Sequence, residues 1–312
     1  MARTSGERFA VSVIIPTTGR PELLRAAQSV RNQTGDLSLE LVIVFDREKG
    51  SVAVPPALAE LADLIVWTGG GRRGSFARNL GVDNSSNPWV AFLDDDDEWL
   101  PDKLASQLTA AVGMHPDKTL LSCRHLHVDV DGERVSKAAP AQTISSEQKV
   151  SEYLFRKRRP TAGRASMYTS TLVCGRGLAV TVPWDDTLAR HQDWDWLIRV
   201  DSVPGVKVLQ VPQPLVRIQT GSSGSISASN SWTDSLAWAD RRLNDQAPGV
   251  YTDFVAGQSL RYALGARSLT GVRECLRRIL VSRRLPATGP LLIAAGGLLP
   301  RRTIERVLVA AR

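Results

Sequence analysis

The stretch Trp89-Val90-Ala91-Phe92-Leu93-Asp94-Asp95-Asp96-Asp97-Glu98-Trp99 places five apolar residues directly before four consecutive aspartates. A short apolar run of this kind predicts a buried strand over residues 89–93. Adjacent carboxylates at the end of such a strand repel one another, which raises the pKa of some of them unless a cation or hydrogen-bond donors compensate. Because Mg²⁺ and Mn²⁺ prefer carboxylate oxygens and also bind phosphates, the stretch predicts a divalent-metal site. A solvated acidic loop is the alternative.

Strand and helix patterns alternate upstream of this stretch. The predicted strands cover residues 11–15, 39–45, 64–67 and 89–93, and the predicted helices cover residues 21–30, 56–61 and 75–82. Such alternation favours a parallel sheet with right-handed crossovers, in which ligands bind beyond the carboxyl ends of the strands. By this rule four segments lie at one edge of the sheet: Pro16-Thr17, Asp46, the glycine-rich loop 69–74 and the aspartate run.

Composition favours a large globular chain in a reducing compartment. The chain has 312 residues, of which 43% are hydrophobic and 23% charged, and this length suits one large or two modest domains. Its three cysteines are odd in number and lack the spacing of metal ligands or of a disulfide framework. Residues 1–9 lack the apolar core of a signal peptide, and no window approaches the ~20 apolar residues of a membrane span. We therefore expect a cytoplasmic protein.

Positive charge is concentrated in the last quarter of the chain. From residue 241 onward there are 13 arginines and four acidic residues, whereas the whole chain has a net charge of +7. Residues 232–312 have a mostly helical pattern, and arginines alternate with leucines over residues 273–285. Such a helix can lie on an anionic membrane surface, here the inner face of the plasma membrane, or pack in a bundle with solvated arginines. No nucleic-acid-binding motif accompanies the charge, so nucleic acid is not an expected partner.

Several short motifs follow one another in a specific order. They are Val13–Arg20, Ser29–Thr34, Glu40–Asp46, Ala77–Gly81, Val90–Leu104, Trp184–Asp186 and Gln192–Asp195. Their order and spacing resemble those of the family 2 glycosyltransferases, which are inverting, nucleotide-sugar-dependent enzymes of the GT-A fold. The resemblance covers about residues 10–220. It implies an α/β fold with a Rossmann-like, mostly parallel sheet flanked by helices, followed by a C-terminal helical region.

The resemblance also implies a domain organisation. Residues 1–220 form the glycosyltransferase domain, with a nucleotide-sugar-binding part at residues 10–105 and an acceptor-binding part at residues 106–220. Residues 221–231, which are rich in glycine and serine, are expected to form a flexible segment. Residues 232–312 form the basic helical region.

On the donor side, the resemblance implies that Pro16 and Thr17 border the nucleotide base. It implies that Asp46 accepts hydrogen bonds from the base or the ribose. The family often has two acids at this place, where this chain has Phe45 beside Asp46. A turn residue at the end of the second strand is therefore the alternative for Asp46.

Four arginines are candidates for contact with the base or the diphosphate. Arg72, Arg73 and Arg78 lie in or just after the glycine loop, where glycines allow close backbone approach and a helix N-terminus favours anions. The alternatives are solvated side chains for Arg72 and Arg73 and a structural role for Arg78. Many family members have a histidine near an arginine after the last strand. Gln219 occupies that place here, so Arg217 is the remaining candidate for the diphosphate.

The aspartate run matches the Asp-x-Asp element of the family. The match implies that Asp96 is the direct metal ligand, that Asp94 helps to form the metal site and that Asp95 lies near the ribose. With four aspartates in a row, this register could shift by one residue. The implied cofactor is Mn²⁺ or Mg²⁺, which neutralises charge on the departing nucleoside diphosphate.

Asp193 matches the catalytic base of the family. An inverting transfer needs a carboxylate that takes the proton from the acceptor hydroxyl as this attacks the anomeric carbon. The chain has Gln192 where the family usually has glutamate. Asp195 is the second candidate for the base, and a role for Asp193 in capping a helix is the alternative.

The implied function is transfer of a sugar from a UDP-, dTDP- or GDP-linked donor to an acceptor hydroxyl. The acceptor would be a glycan, a lipid-linked molecule or a small molecule, in glycan, cell-envelope or natural-product biosynthesis. Two other hypotheses remain. Gln192 and Gln219 suit a GT-A protein that binds nucleotide-sugar without turnover, and the basic tail suits a nucleic-acid-binding protein.

Overall fold

The structure is a computed structural model that describes residues 8–129, 135–156, 165–220 and 231–298. Its contacts divide the chain into two units. The first unit comprises residues 1–146, 167–188 and 192–221, and the second comprises residues 147–166, 189–191 and 222–312. Except for Ser231, the predicted flexible segment 221–231 lies outside the described residues, as do residues 299–312 of the predicted basic region.

The first unit is built on an eight-stranded sheet. Its strands are β1 Phe9–Thr17, β2 Leu37–Phe45, β3 Leu64–Trp67, β4 Trp89–Phe92, β5 Glu98–Trp99, β6 Thr119–Val128, β7 Val173–Gly175 and β8 Lys207–Gln219. The strand order is β3-β2-β1-β4-β7-β6-β8-β5. Neighbours are parallel in the β3-β2-β1-β4 half and between β6 and β8, whereas β7 and β5 run antiparallel to their neighbours. The predicted α/β class with a mostly parallel sheet is confirmed.

Helices connect these strands. Those of the first unit are α1 Leu23–Arg31, α2 Pro56–Leu61, α3 Arg73–Asp83, α4 Lys103–Ala110, α6 Arg176–Thr181 and α7 Gln192–Asp201; α5 Val150–Phe155 belongs to the second unit. The helices predicted over residues 21–30, 56–61 and 75–82 correspond to α1, α2 and α3. Most apolar residues of β1, β2 and β4 are buried, as expected for parallel strands covered on both faces.

Gly81 allows α3 to lie against the sheet. A Cβ atom at this position would come within 2.4 Å of Ile14 Cγ2 on β1 and 3.2 Å of Val44 Cγ2 on β2. No side chain larger than hydrogen fits such a space without moving its neighbours. This close approach packs α3, which follows the glycine loop, against β1 and β2.

In the middle of the chain, the sequence pattern predicts a strand over residues 167–174 and short strands over residues 206–218, and the structure differs at both places. Residues 167–174 have a strand-like pattern, but Thr169–Thr171 form a 3₁₀ turn and only Val173–Gly175 form a strand. In the turn, the Thr171 hydroxyl donates to the Tyr168 carbonyl over 2.6 Å. The short strands predicted over residues 206–218 form one long strand, β8, with irregular register near its two prolines.

The second unit is helical where it is described. Its C-terminal helices are α8 Trp232–Arg242, α9 Val250–Phe254, a π-helical turn Val255–Leu260, α10 Arg261–Gly265, α11 Leu269–Val281 and α12 Thr288–Ala295, followed by a 3₁₀ turn Gly296–Leu298. Trp238 and Phe254 form its aromatic core with Phe155 of α5. Within the described part of the chain, no helix has the length and apolar character needed to cross a membrane.

Candidate active site

The loops that follow β1, β2 and β4 meet at one edge of the sheet. The Asp46 amide, just after β2, donates to the carbonyl of Thr17 at the end of β1 over 2.7 Å. The Leu93 amide, just after β4, donates to the Ile14 carbonyl over 3.1 Å. The parallel register thus brings the predicted site segments together.

The four aspartates alternate between two environments. Asp94 and Asp96 are half-buried, whereas Asp95 and Asp97 are buried. Each of the four has a different partner on another element. The run is therefore part of the packed structure and is not a solvated acidic loop.

Asp94 forms an ion pair with Arg78 of α3. The Asp94 carboxylate accepts a hydrogen bond from Arg78 Nη2 over 2.6 Å. The Arg78 guanidinium also lies 4.8 Å from the centroid of the Trp184 ring, and Trp184 stacks on Trp196 at 4.6 Å. This buried aromatic stack holds the guanidinium in place beside Asp94.

Asp95 is held by the loop after β1. Thr17 Oγ1 donates to Asp95 Oδ2 over 2.6 Å, and Arg20 Nη1 lies 3.7 Å from Asp95 Oδ1. Burial raises the pKa of Asp95 to about 6, although the Thr17 hydroxyl and the Arg20 charge oppose this increase. The neighbouring carboxylates of Asp96 and Asp94 raise it further.

Two arginines bind Asp96, one at its carboxylate and one at its backbone carbonyl. Arg20 Nη1 lies 2.9 Å from Asp96 Oδ2, and Arg25 Nη2 donates to the Asp96 carbonyl over 3.1 Å. Both arginines lie in or after the loop that follows β1. Positive charge therefore reaches the aspartate run from β1 as well as from α3.

Asp97 connects the run to two other elements. Its carboxylate accepts hydrogen bonds from the Ser170 hydroxyl and, over 2.9 Å, from the backbone amide of Gln219 at the end of β8. The Ser170 hydroxyl also accepts from the Asp94 amide over 3.0 Å. Burial raises the pKa of Asp97 well above its ordinary value, and the charge of Asp94 adds to this. The buried Asp97 carboxylate thus fixes the aspartate run against Ser170 and the end of β8.

Asp46 organises the glycine-rich loop. One of its oxygens accepts from the Thr68 hydroxyl at 2.6 Å and from the Arg72 amide at 2.8 Å, and the other accepts from the Arg73 amide at 2.7 Å. Burial would raise the pKa of Asp46, but these hydrogen bonds and the charge of Arg47 outweigh it, so that the pKa is lowered.

The side chains of Arg72 and Arg73 are exposed at the N-terminus of α3. The Arg72 guanidinium lies 3.9 Å from the centroid of the Phe76 ring. Arg73 has a φ of 68°, and the three glycines before these arginines also have positive φ values. The loop conformation therefore depends on residues that tolerate the left-handed region and on the anchor at Asp46.

Asp193 lies at the start of α7. It is half-buried, and one of its carboxylate oxygens accepts from the Trp194 amide over 2.9 Å. Burial raises the pKa of Asp193; the Trp194 hydrogen bond and the charge of Arg78 oppose the increase, and the charge of Asp94 adds to it. The candidate base is thus electrostatically coupled to the Arg78–Asp94 pair although it is about a hundred residues away in sequence.

The neighbours of Asp193 have structural partners. Asp195 is buried and pairs with Arg199 over 2.7 Å, an ion pair between successive turns of α7. Gln192 donates to the Leu188 carbonyl over 2.7 Å. Trp196 is fully buried, whereas Trp194 is partly exposed. Of the two candidate bases, only Asp195 has an arginine bonded directly to its carboxylate within the part of the chain that the structure describes.

Arg217 lies on β8 opposite Glu98 of β5. The Arg217 guanidinium lies 3.3 Å from the Glu98 carboxylate, and the arginine side chain is 45% exposed. Pro16 is partly buried on β1, directly before Thr17. Of the predicted site residues, the structure thus brings together Thr17 with Asp95 and Arg78 with Asp94. It also brings Asp46 together with the amides of Arg72 and Arg73, whereas Arg217 pairs with Glu98.

The carboxylates of the aspartate run would suit a divalent cation only if phosphates completed its coordination. In the described ranges, no group of three or more histidine, cysteine, aspartate and glutamate side chains could by itself hold a metal ion. Mg²⁺, however, is usually bound through one or two carboxylates together with substrate phosphates and water. Asp94 and Asp96 supply two such carboxylates, both partly exposed at the sheet edge.

A family comparison decides the classification. The family model described as Glycosyl transferase family 2 matches residues 12–166, which include most of β1, the glycine loop and the aspartate run. The chain belongs to glycosyl transferase family 2. This glycosyltransferase is 27% identical over 270 residues to the amylovoran biosynthesis glycosyltransferase AmsB of Erwinia amylovora, covering 84% of this chain and 87% of AmsB.

Solved structures show the same fold at low sequence identity. The crystal structure of S. aureus TarS residues 1–349 in complex with UDP-GlcNAc matches with a TM-score of 0.59 and 14% identity, covering 88% of this chain and 80% of that one. A longer TarS chain matches with a TM-score of 0.55 and 15% identity, and this glycosyltransferase spans about half its length. The predicted GT-A architecture with C-terminal helices is confirmed.

Three residues of the site were not predicted from the sequence: Arg20, Arg25 and Ser170. For Arg20 a signal existed, because a cation in the loop after β1 lies where the strand-end rule places ligands. For Ser170 there was none, because its hydroxyl reaches Asp97 across more than 70 residues of chain.

Proposed function

We propose that this protein is a metal-assisted, inverting glycosyltransferase that uses a nucleoside-diphosphate sugar, with UDP as the preferred nucleotide. The observation that carries the proposal is the meeting of three loops at the carboxyl ends of β1, β2 and β4. One of these loops is rich in aspartate, and the loop after β1 supplies Arg20 to Asp96. The TarS complexes with UDP-GlcNAc and with UDP support UDP as the nucleotide.

The base and ribose are proposed to lie between the loop after β1 and the glycine loop. Pro16 and Thr17 border this space, and Thr17 is fixed by its hydrogen bond to Asp95. Both oxygens of Asp46 accept hydrogen bonds from the glycine loop, so Asp46 serves donor binding chiefly by shaping that loop. Asp95 is proposed to lie near the ribose, where its carboxylate would accept a hydrogen bond from a ribose hydroxyl.

The diphosphate is proposed to bind against the aspartate run and the arginines that surround it. Asp96 and Asp94 would hold Mn²⁺ or Mg²⁺, which when bound neutralises charge on the leaving nucleoside diphosphate. The side chains of Arg72 and Arg73, which are exposed at the N-terminus of α3, would contact the diphosphate. Arg217 would contribute only after leaving its partner Glu98.

Asp193 is proposed as the general base. It would take the proton from the acceptor hydroxyl while that oxygen forms its bond to the anomeric carbon, and the bond to the diphosphate breaks on the opposite side. Burial raises the pKa of Asp193, which makes it a stronger base than an exposed aspartate. Asp195 is proposed to have a structural role instead, because its carboxylate is buried and paired with Arg199.

The biological process is proposed to be polysaccharide or cell-envelope glycan synthesis. The similarity to AmsB, which is named for amylovoran biosynthesis, supports this process. The acceptor hydroxyl would then belong to a glycan or to a lipid-linked intermediate. The acceptor-binding part is proposed to be the region around residues 106–220, which contributes Asp193.

A donor panel tests the proposal. Thermal unfolding is measured with UDP, GDP, dTDP and their sugars, each with and without Mn²⁺, because a ligand that binds only the folded state raises the unfolding temperature. We expect the largest increase for a UDP species with Mn²⁺. Donor hydrolysis or transfer is then measured for the wild type and for Asp193→Asn.

The two measurements separate the hypotheses. Turnover that is lost in Asp193→Asn while the donor still raises the unfolding temperature supports the transferase. Binding of the donor without turnover by the wild type, tested with glycan and lipid-linked acceptors, would favour a nucleotide-sugar-binding protein. No thermal shift with any nucleotide would refute the proposal altogether.

A further inference from the structure

Exposed apolar side chains are concentrated in the second unit. Eight of the 13 exposed large hydrophobic residues in the described ranges lie between residues 269 and 298. They are Leu269, Leu276, Leu280, Val281, Leu285, Leu291, Leu292 and Leu298. Single exposed apolar residues are common on protein surfaces, but clusters of this size mark interaction sites.

Helix α11 has apolar residues on two opposite faces. Gly271, Cys275 and Ile279 follow one another at four-residue spacing and are buried. Leu269 and Leu280 lie on the far side of the helix, where they are 87% and 72% exposed. A helix that only packs against a protein core has polar residues on that side, so the outward leucines of α11 are not explained by folding of the second unit.

Arginines border the outward leucines. Between residues 266 and 298 the chain has six arginines and one acidic residue, Glu274. Arg278 pairs with Asp240 and Glu274 and belongs to the inner part of the helix. Arg273 and Arg277 lie on the outer side beside Leu276 and Leu280 and are exposed. The surface formed by α11, α12 and the loop between them is therefore apolar with a basic border.

We propose that this surface, the α11–α12 face, binds the surface of an anionic lipid bilayer. The outward leucines would insert among the acyl chains near the headgroups while the arginines contact lipid phosphates, as in an amphipathic helix that lies in the plane of a membrane. This inference goes beyond the proposed function, and it stands on the exposure and charge of the second unit alone.

Charge favours a lipid surface over the other occupants of such a face. Two copies of the α11–α12 face would bring like-charged arginines together, which opposes association. The terminal residues 299–312 contain four arginines and one acidic residue, Glu305, so they do not complement the charge of this face either. An anionic bilayer complements both the charge and the exposed leucines.

Vesicle co-sedimentation of the full-length protein tests the proposal. The vesicles contain either phosphatidylcholine alone or phosphatidylcholine with about one third phosphatidylglycerol, at low and at high NaCl. We expect binding to the anionic vesicles only, weakened by salt because the charge contribution is screened. Burying a leucine contributes more than tenfold in affinity, and one arginine near the surface contributes about fivefold.

Two double variants separate the contributions. Leu276→Ser with Leu280→Ser removes apolar contact, and Arg273→Gln with Arg277→Gln removes charge; each is expected to lower vesicle affinity about tenfold or more. The matched controls are Val112→Ser, which changes an exposed apolar residue of the first unit, and Arg241→Gln, which changes an exposed arginine of α8. Both controls are expected to bind as the wild type does. All variants change exposed side chains, and their unfolding temperatures confirm folding.

Three results would overturn the proposal. The first is no binding of the wild type to anionic vesicles. The second is binding that the leucine variant leaves unchanged. The third is a dimer in solution that the leucine variant dissociates while vesicle binding is absent, which would assign the face to a second copy. None of these readouts depends on glycosyl transfer, so they remain decisive if the proposed function fails.

Discussion

Arg78 Nη2 lies 2.6 Å from Asp94 Oδ1, so one ion pair joins the helix after the glycine loop to the aspartates after β4. The guanidinium is almost fully buried, and the Trp184 ring holds it from one side. Because charges in such surroundings are weakly screened, Arg78 acts on Asp193 as well as on Asp94. The pair therefore connects the proposed donor site to the proposed base.

Replacing Arg78 by glutamine is expected to shift the pH profile of transfer. The charge of Arg78 lowers the pKa of Asp193, so its loss raises that pKa. A general base must be deprotonated, and the acidic limb of kcat/KM therefore moves to higher pH in Arg78→Gln. Arg72→Gln, which changes an exposed arginine, is the control and is expected to keep the limb in place. If the acidic limb stays at the same pH in Arg78→Gln, the charge of Arg78 does not act on the general base.

Replacing Asp193 by asparagine is expected to lower kcat about 10²- to 10⁴-fold, because the amide cannot accept the acceptor proton. Donor affinity, measured by thermal shift, is expected to stay within about threefold of the wild-type value, because Asp193 is proposed to contact the acceptor and not the donor. Asp195→Asn serves as the comparison. It breaks a buried contact with Arg199 and is expected to lower the free energy of unfolding by about 1–3 kcal/mol. A similar loss of kcat in both variants, without loss of stability in Asp195→Asn, would contradict the assignment of the base.

Replacing Asp46 by alanine is expected to release the glycine loop. The carboxylate accepts from Thr68 and from the amides of Arg72 and Arg73, and the loss of these bonds is expected to cost about 1–2 kcal/mol in the free energy of unfolding. Nucleotide affinity is expected to fall about tenfold. Urea unfolding and nucleotide titration measure the two effects. Glu48→Ala, two residues after Asp46 in the loop that follows β2, is the control and is expected to change neither stability nor nucleotide affinity. If Asp46→Ala binds nucleotide as tightly as the wild type, the glycine loop does not need this anchor.

Lys103 is expected to make stability depend on pH above neutrality. Its ammonium group is fully buried, 3.9 Å from the Trp99 ring centroid, and burial lowers its pKa from 10.5 to about 7. Between these values the unfolded chain binds the proton and the folded chain does not. The contribution of Lys103 to the free energy of unfolding therefore rises with pH, by about 1.4 kcal/mol per unit.

Urea unfolding from pH 7 to pH 10 of the wild type and Lys103→Met measures this contribution. The difference in stability between the two proteins is expected to shrink as the pH rises, with the variant more stable at pH 7. Lys49→Met, which changes an exposed lysine, is the control and is expected to show no such trend. Parallel profiles for wild type and Lys103→Met would mean that Lys103 keeps its proton throughout.

Replacing Gly81 by alanine is expected to destabilise the first unit by about 1–3 kcal/mol, because the added methyl group would lie 2.4 Å from Ile14 Cγ2. Gly296→Ala is the matched control, since no atom lies within 4 Å of its added methyl group and its φ is negative. Thermal unfolding compares the two. Equal unfolding temperatures would show that α3 can move away from the sheet at little cost.

Much of the first unit could be predicted from local pattern. The strands over residues 64–67 and 89–92 and the helix over residues 56–61 are those that periodicity and proline placement indicate. The turn at Thr169–Thr171 could not be predicted in this way. Its residues suit a strand locally, but their hydroxyls bond to Tyr168 and to Asp97, and the second of these contacts depends on the folded chain.

The sequence by itself determined the fold class and which segments meet, because alternating strands and helices force the ends of β1, β2 and β4 to one edge of a parallel sheet. It did not determine what each aspartate does. Asp94, Asp95, Asp96 and Asp97 are chemically identical, and only the tertiary structure gives them Arg78, Thr17, Arg20 and Ser170 as partners. Those partners come from distant parts of the chain, and the protonation and exposure of a carboxylate depend on what surrounds it in space and not on its neighbours in sequence.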